Sequence, residues 1–166
     1  MTRARDLADA ADKDFSGTVT VDNITIGGNI SQDSGTVKLD GNYPTGTNNV
    51  ALGDTALDSV ASDGTANTMV GFAAGTAITT SDNNTGFGYA ALYTSTGNQN
   101  TAVGSSALVS STTSDNNTAM GHSAMYANTT GTQNVAIGAF SLDANTTATY
   151  NTAVGYRSLT ANTTGA

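Results

Sequence analysis

The sequence predicts an all-β protein, a parallel β-solenoid or β-roll of seven coils of about 17 residues each, and three observations carry that expectation. First, a unit of the form Asn-(Thr/Val)-Ala-(apolar)-Gly-x-x-(Ala/Ser)-(Leu/Met) recurs seven times; its anchors Asn49, Asn67, Asn84, Asn100, Asn117, Asn134 and Asn151 lie 18, 17, 16, 17, 17 and 17 residues apart. Second, all 13 acidic residues are Asp and none is Glu, while Thr, Asn, Gly and Ser dominate, a composition that disfavours long helices and favours strands joined by tight turns. Third, with 37% hydrophobic and 6% aromatic residues and no Trp, the 166-residue chain has little large apolar volume for an ordinary compact core.

Three regions follow along the chain. Residues 1–14 read as an N-terminal anchor segment, a short helix or extended, with Thr2 as N-cap and Leu7, Ala8 and Ala11 on one weak apolar face. Arg3, Arg5 and Leu7 are its candidate anchor residues. A helix this short is marginal in water, so docking onto something else would hold it. Residues 15–46 form a short-strand region and junction: Val19 and Val21, Ile24 and Ile26, then Val37 and Leu39 alternate with polar residues, and Gly41-Asn42-Tyr43-Pro44-Thr45-Gly46 carries the only proline. Residues 47–166 are the repeat domain.

Within each repeat the five residues ending at glycine fit a short strand in which positions two and four share one face and position three points to the other. Position four is always apolar (Leu52, Val70, Phe87, Val103, Met120, Ile137, Val154), and position three is small in every copy but Met69. One face is therefore expected to be a packed seam and the other a tight interior. A second short strand is expected at the (Ala/Ser)-(Leu/Met) pairs such as Ala56-Leu57 and Ser141-Leu142, with Ala74-Gly75 the exception; the remainder is turn chemistry. Parallel stacking at about 4.8 Å per coil would align the seven Asn side chains into a hydrogen-bonded ladder, with Gly53, Gly71, Gly88, Gly104, Gly121, Gly138 and Gly155 beside it.

So thin a coil buries little, and one buried Leu, Val or Ile contributes only about 1.5–3 kcal/mol against backbone ordering of about 1–2 kcal/mol per residue. The chain is therefore expected to share a core with copies of itself, through the position-four seam or the Leu/Met seam, in a homotrimer.

Charge and motifs exclude several classes. The net charge of −8 with only five basic residues leaves no basic surface for nucleic acid. Zero cysteines exclude disulfides and thiolate metal sites. No signal-peptide-like or membrane-spanning apolar run appears, so no membrane insertion is expected. The Asn-Thr-Thr triplets at Asn128, Asn145 and Asn162 match a glycosylation pattern but read better as turns. The only histidine, His122, occupies a variable position after Gly121 with no recurring acid or nucleophile, and no phosphate loop, metal-binding pair or serine elbow is present. The expectation is a non-enzyme with no catalytic, cofactor or metal site. Phe72, Tyr89, His122 and Tyr156, with Tyr93 and Tyr126 after the second segment, form a candidate contact strip, either packing between chains or offering aromatic faces to a ligand.

The run Asn151-Thr152-Ala153-Val154-Gly155-Tyr156, with Ser158-Leu159 and Asn162-Thr163-Thr164-Gly165, resembles the repeats of phage and marine-virus fibre proteins. More distantly it is similar to the heads of trimeric autotransporter adhesins, which are left-handed parallel β-rolls in trimers. The resemblance covers residues 49–166, and the N-terminal Met1 to Asp9 with Gly17 to Val21 looks like the particle-attachment end of such fibres. The unit is longer than that of the adhesin heads, and the chain shows neither their signal peptide nor their C-terminal barrel. What the resemblance implies is a left-handed, trimeric virion or tail-fibre subunit, made in the host cytoplasm. It would be held by its N-terminus to other virion proteins and would contact a host-surface glycan or receptor. The alternative is a glycan-binding adhesin head, bacterial or phage; a third class is an ice-binding solenoid, for which a flat array would need two Thr per coil.

Overall fold

The computed structural model describes residues 47–165, and these form a β-solenoid with no helix. The expected anchor helix with Arg3, Arg5 and Leu7 and the strands expected over 15–46 lie outside the described residues. Seven three-residue strands, β1 (Val50–Leu52), β2 (Thr68–Val70), β3 (Thr85–Phe87), β4 (Thr101–Val103), β5 (Thr118–Met120), β6 (Val135–Ile137) and β7 (Thr152–Val154), make one parallel sheet in chain order. The register pairs equivalent repeat positions throughout, Val50 with Thr68, Thr101 with Thr118, Ile137 with Val154. We number the coils one to seven by the strand each contains. No helix long and apolar enough to cross a membrane occurs among the described residues.

The strands are shorter than the five residues expected, because glycine leaves the strand geometry. Gly53 through Gly138 have φ of 127–140°, and a Cβ on any of these six would come within 2.5–2.6 Å of the carbonyl of the equivalent glycine in the next coil. Backbone stacks on backbone there, and only glycine permits it.

The second segment is not a strand, which corrects the two-strand coil. Leu57, Leu92, Leu108, Met125 and Leu142 sit in turns with φ of 48–55° and are fully buried. Chain direction changes at each residue, so strand alternation does not govern where these side chains point. They point inward and, with Ala102, Ala119 and Ala136 from the strands, make the chain's own core. The Leu/Met seam is thus inside the coils at these five residues and is not available there to a partner, whereas Leu159 of the last coil is 48% exposed. Left-handed backbone at non-glycine residues costs about 1–2 kcal/mol each; it is held by cross-coil bonds such as Leu57 N–H to Ala74 C=O and Leu108 N–H to Ala124 C=O.

The two exceptions to the repeat compensate one another. Met69, the one large residue at position three, is fully buried, and it fills the space left where Gly75 replaces the usual Leu/Met. A Cβ on Gly75 would lie 2.9 Å from Met69 Cγ and Sδ, and one on Gly86, in the next coil, 2.4 Å from the same sulfur. The space inside this coil is filled although the residue that fills it has changed place.

Candidate functional site: an internal ladder and two outer surfaces

The repeat's polar anchors turn inward. Each Asn side chain is a relay: its Oδ1 accepts the backbone N–H of the next anchor at 2.8–3.0 Å, from Asn67 onto Asn49 through to Asn151 onto Asn134. Its Nδ2 donates to a carbonyl at the end of its own coil, Gly64, Ser81, Gly97, Ser114, Gly131 or Ala148, at 2.7–2.9 Å. Asn67, Asn84, Asn100 and Asn134 are completely buried, so these bonds answer the desolvation of both amide ends.

A second interior column was not read from the sequence, although its spacing is the same. Val60 and Ile78 begin it, Ser95 and Ser111 follow, and Asn128 and Asn145 continue it, all buried. Asn145 Nδ2 donates to Asn128 Oδ1 at 3.0 Å, and both amides also donate to the carbonyl three residues on. Two of the three Asn-Thr-Thr triplets therefore bury their asparagines in the folded chain. At the changeover from apolar to polar, the Ser95 hydroxyl is buried without a hydrogen-bond partner. A third, outer relay runs Thr65, Asp82, Asn98, Asp115: Thr65 and Asn98 donate their amides to Asp82 and Asp115, and Asp82 donates its own to Asn98. Those carboxylates bind backbone.

Two surfaces face outward. The first is the outer face of the sheet, formed by positions two and four. None of its residues is ionisable in any of the seven coils, and Leu52, Phe87, Met120, Ile137 and Val154 are 40–66% exposed. The position-four column is thus an exposed apolar stripe beside a column of five Thr and two Val.

The second is an aromatic groove of about 500 Å³ running over coils one to five. Ala73, Ala90 and Ser106 are its floor, small residues with positive φ whose N–H groups are bonded to the preceding coil at Asp54, Phe72 and Tyr89. Phe72 and Tyr89 wall one side, stacked with centroids 5.5 Å apart and planes 11° from parallel. Thr76, Tyr93, Val109 and Tyr126 wall the other. Beyond Tyr126 a smaller hollow of about 230 Å³ is lined by Ser123, Phe140 and Asp143.

The structure divides the expected contact strip. Phe72, Tyr89, Tyr93 and Tyr126 come together in the groove, whereas His122 and Tyr156 flank Phe140 instead, at ring distances of 5.1 and 6.2 Å. Arg157 lies over both Phe140 and Tyr156, its guanidinium 5.6–5.7 Å from each centroid. Phe140 was missed because it stands one column over, in the groove-floor position; the available signal was that it is the only aromatic there. Among the described residues no group of three His, Cys, Asp or Glu side chains could hold a metal ion. Comparison of the chain with protein-family models, with curated proteins and with solved structures gives no match.

Proposed function

We propose that the chain is a structural, non-enzymatic fibre subunit of a virus particle, a phage tail or virion fibre. Its N-terminal segment is held by other virion proteins, and its β-roll projects as a homotrimer toward the host surface. The observation that carries this reading is the outer sheet face. An apolar stripe that persists through seven coils, exposed in five of them and half-buried at Val70 and Val103, is the kind of surface soluble chains cover. A partner of opposite charge has nothing to bind there, and copies of a chain with a net charge of −8 repel one another except where a face is neutral. A second copy fits both conditions, because its own stripe has the same pitch and the same neutrality. Three parallel copies close the stripes around one axis and leave no stripe open, which makes a stiff rod.

Sedimentation equilibrium on the full chain tests assembly. The expected mass is three times the chain's 16.6 kDa; a monodisperse monomer would sink the reading. Electron microscopy of particles lacking the gene tests placement, with loss of a fibre as the expected result. The ice-binding alternative draws no support from the outer face, where the Thr column runs beside an apolar column and not beside a second array of Thr.

A further inference from the structure

We infer that the aromatic groove over coils one to five is a binding site for a neutral oligosaccharide. The inference uses the fibre reading only in that copies meeting through the outer sheet face leave the groove outside.

Three observations support it. The groove is not a product of the repeat: the anchor, glycine and position-four columns recur in all coils, whereas Phe72, Tyr89, Tyr93 and Tyr126 stand at variable positions that carry Asp54, Ser105, Asp58 and Asp143 in other coils. A seam between parallel copies would recur along the whole rod. This groove stops at both ends, at Asp54 and Asp58 before it and at Phe140, which occupies the floor column, after it.

Next, its chemistry is amphipathic and uncharged. Aromatic residues alternate with hydroxyl-bearing ones, Thr55, Thr76, Tyr89, Tyr93, Ser106 and Tyr126 all lining it, and the Thr76 hydroxyl donates to the Thr55 carbonyl at 3.1 Å while keeping its acceptor capacity. A pyranose presents an apolar C–H face ringed by hydroxyls that both donate and accept, which matches aromatic walls and a hydroxyl rim. Among the described residues no cation lines either hollow, and Asp143 borders the second, so sulfated or carboxylated sugars are disfavoured.

Finally, the backbone argues against a peptide strand. The floor amides of Ala73, Ala90 and Ser106 already donate to the preceding coil, so no edge is open for strand addition. A proline-rich segment would offer acceptors only, leaving the acceptor lone pairs of the groove's hydroxyls unmatched. The volume falls within the usual range for ligand sites, and the αL backbone under the floor is pinned between coils, so the site is preformed.

The test presents the full chain to an array carrying cellohexaose, maltohexaose, laminarihexaose and mannohexaose, sulfated forms of each, and an immobilised proline-rich peptide. Hits are followed by titration. At least one neutral hexaose should be retained in preference to its sulfated form. Tyr93→Ser and Tyr126→Ser should each weaken that binding at least about tenfold, a change of roughly 1.4 kcal/mol, while Tyr150→Ser, exposed but outside the groove, should not. Sedimentation of the same variants reads assembly separately. The inference is overturned if no neutral hexaose is retained at about millimolar concentration, if the variants bind as the parent does, or if only the peptide is retained. It is equally overturned if Tyr93→Ser or Tyr126→Ser dissociates the copies, which would make the groove part of the seam.

Discussion

The outer sheet face and the aromatic groove share coils one to five, yet the repeat treats them in opposite ways. On the face every coil presents an apolar residue at position four, and the identity drifts among Leu, Val, Phe, Met and Ile while the character stays. In the groove the character itself changes, from Asp to aromatic to Ser within a single column. A surface repeated at every rung suits a partner with the same pitch, and a second copy of the rod is the obvious one. A surface confined to a few rungs suits a ligand of finite length. Both rest on the same interior, where asparagine and glycine permit almost no variation.

That contrast can be broken at its base. Asn117→Leu removes the acceptor for the Asn134 N–H and Nδ2 and the donors to Asn100 and Gly131, all buried. With unsatisfied buried groups costing about 1–3 kcal/mol each, a loss of about 4 kcal/mol is expected, read as a lowered urea midpoint. Such a change should damage the face and the groove together.

Ile137→Asp acts on the face alone. Its side chain is exposed, so the coil should remain folded, while a carboxylate on each copy's stripe should weaken association about 100-fold, roughly 2.7 kcal/mol. Sedimentation against concentration measures it. If mass stays at the trimer value, the copies meet elsewhere.

Gly104→Ala compared with Gly155→Ala separates stacking from backbone conformation. Both have strongly positive φ, but the added methyl meets the Gly121 carbonyl in the first case and nothing within 4 Å in the second. The first should cost about 2 kcal/mol more in thermal unfolding. Ser95→Ala should stabilise by about 1 kcal/mol, since it deletes a buried hydroxyl that has no partner. Smallest of all, Tyr126→Ser should change stability by under about 0.5 kcal/mol, because the ring is 49% exposed; its effect belongs to ligand binding.

The parallel coil was legible because its signals are local and repeat. A glycine at fixed spacing, an apolar residue before it and a small one before that are each visible in a single copy, and seven copies average out the noise. The inward or outward direction of Leu57 and its equivalents was not legible. Alternation along a strand predicts direction only where the backbone is extended, and these residues sit at positive φ in a turn. The second interior column was hidden for a different reason: Val60, Ser95 and Asn128 keep the period but share no chemistry, so no residue type marks their common depth. The groove was half legible. Its aromatics could be named, but which of them meet depends on which columns lie side by side around the coil, and that separated His122 and Tyr156 from Phe72 and Tyr89.

By itself the sequence determined the period, the parallel stacking and the residues that must repeat, since stacking places every residue upon its equivalent and so makes chemistry at one rung a condition on the next. Position three and the Asn ladder were legible as interior, and the tertiary structure alone decided what else faces inward. Whether a Leu belongs to a chain's own core or to a partner, whether Met69 can take the room of an absent leucine, and whether scattered tyrosines become a groove are set by lateral neighbours within and between coils. That lateral arrangement depends on left-handed turns whose direction no spacing encodes.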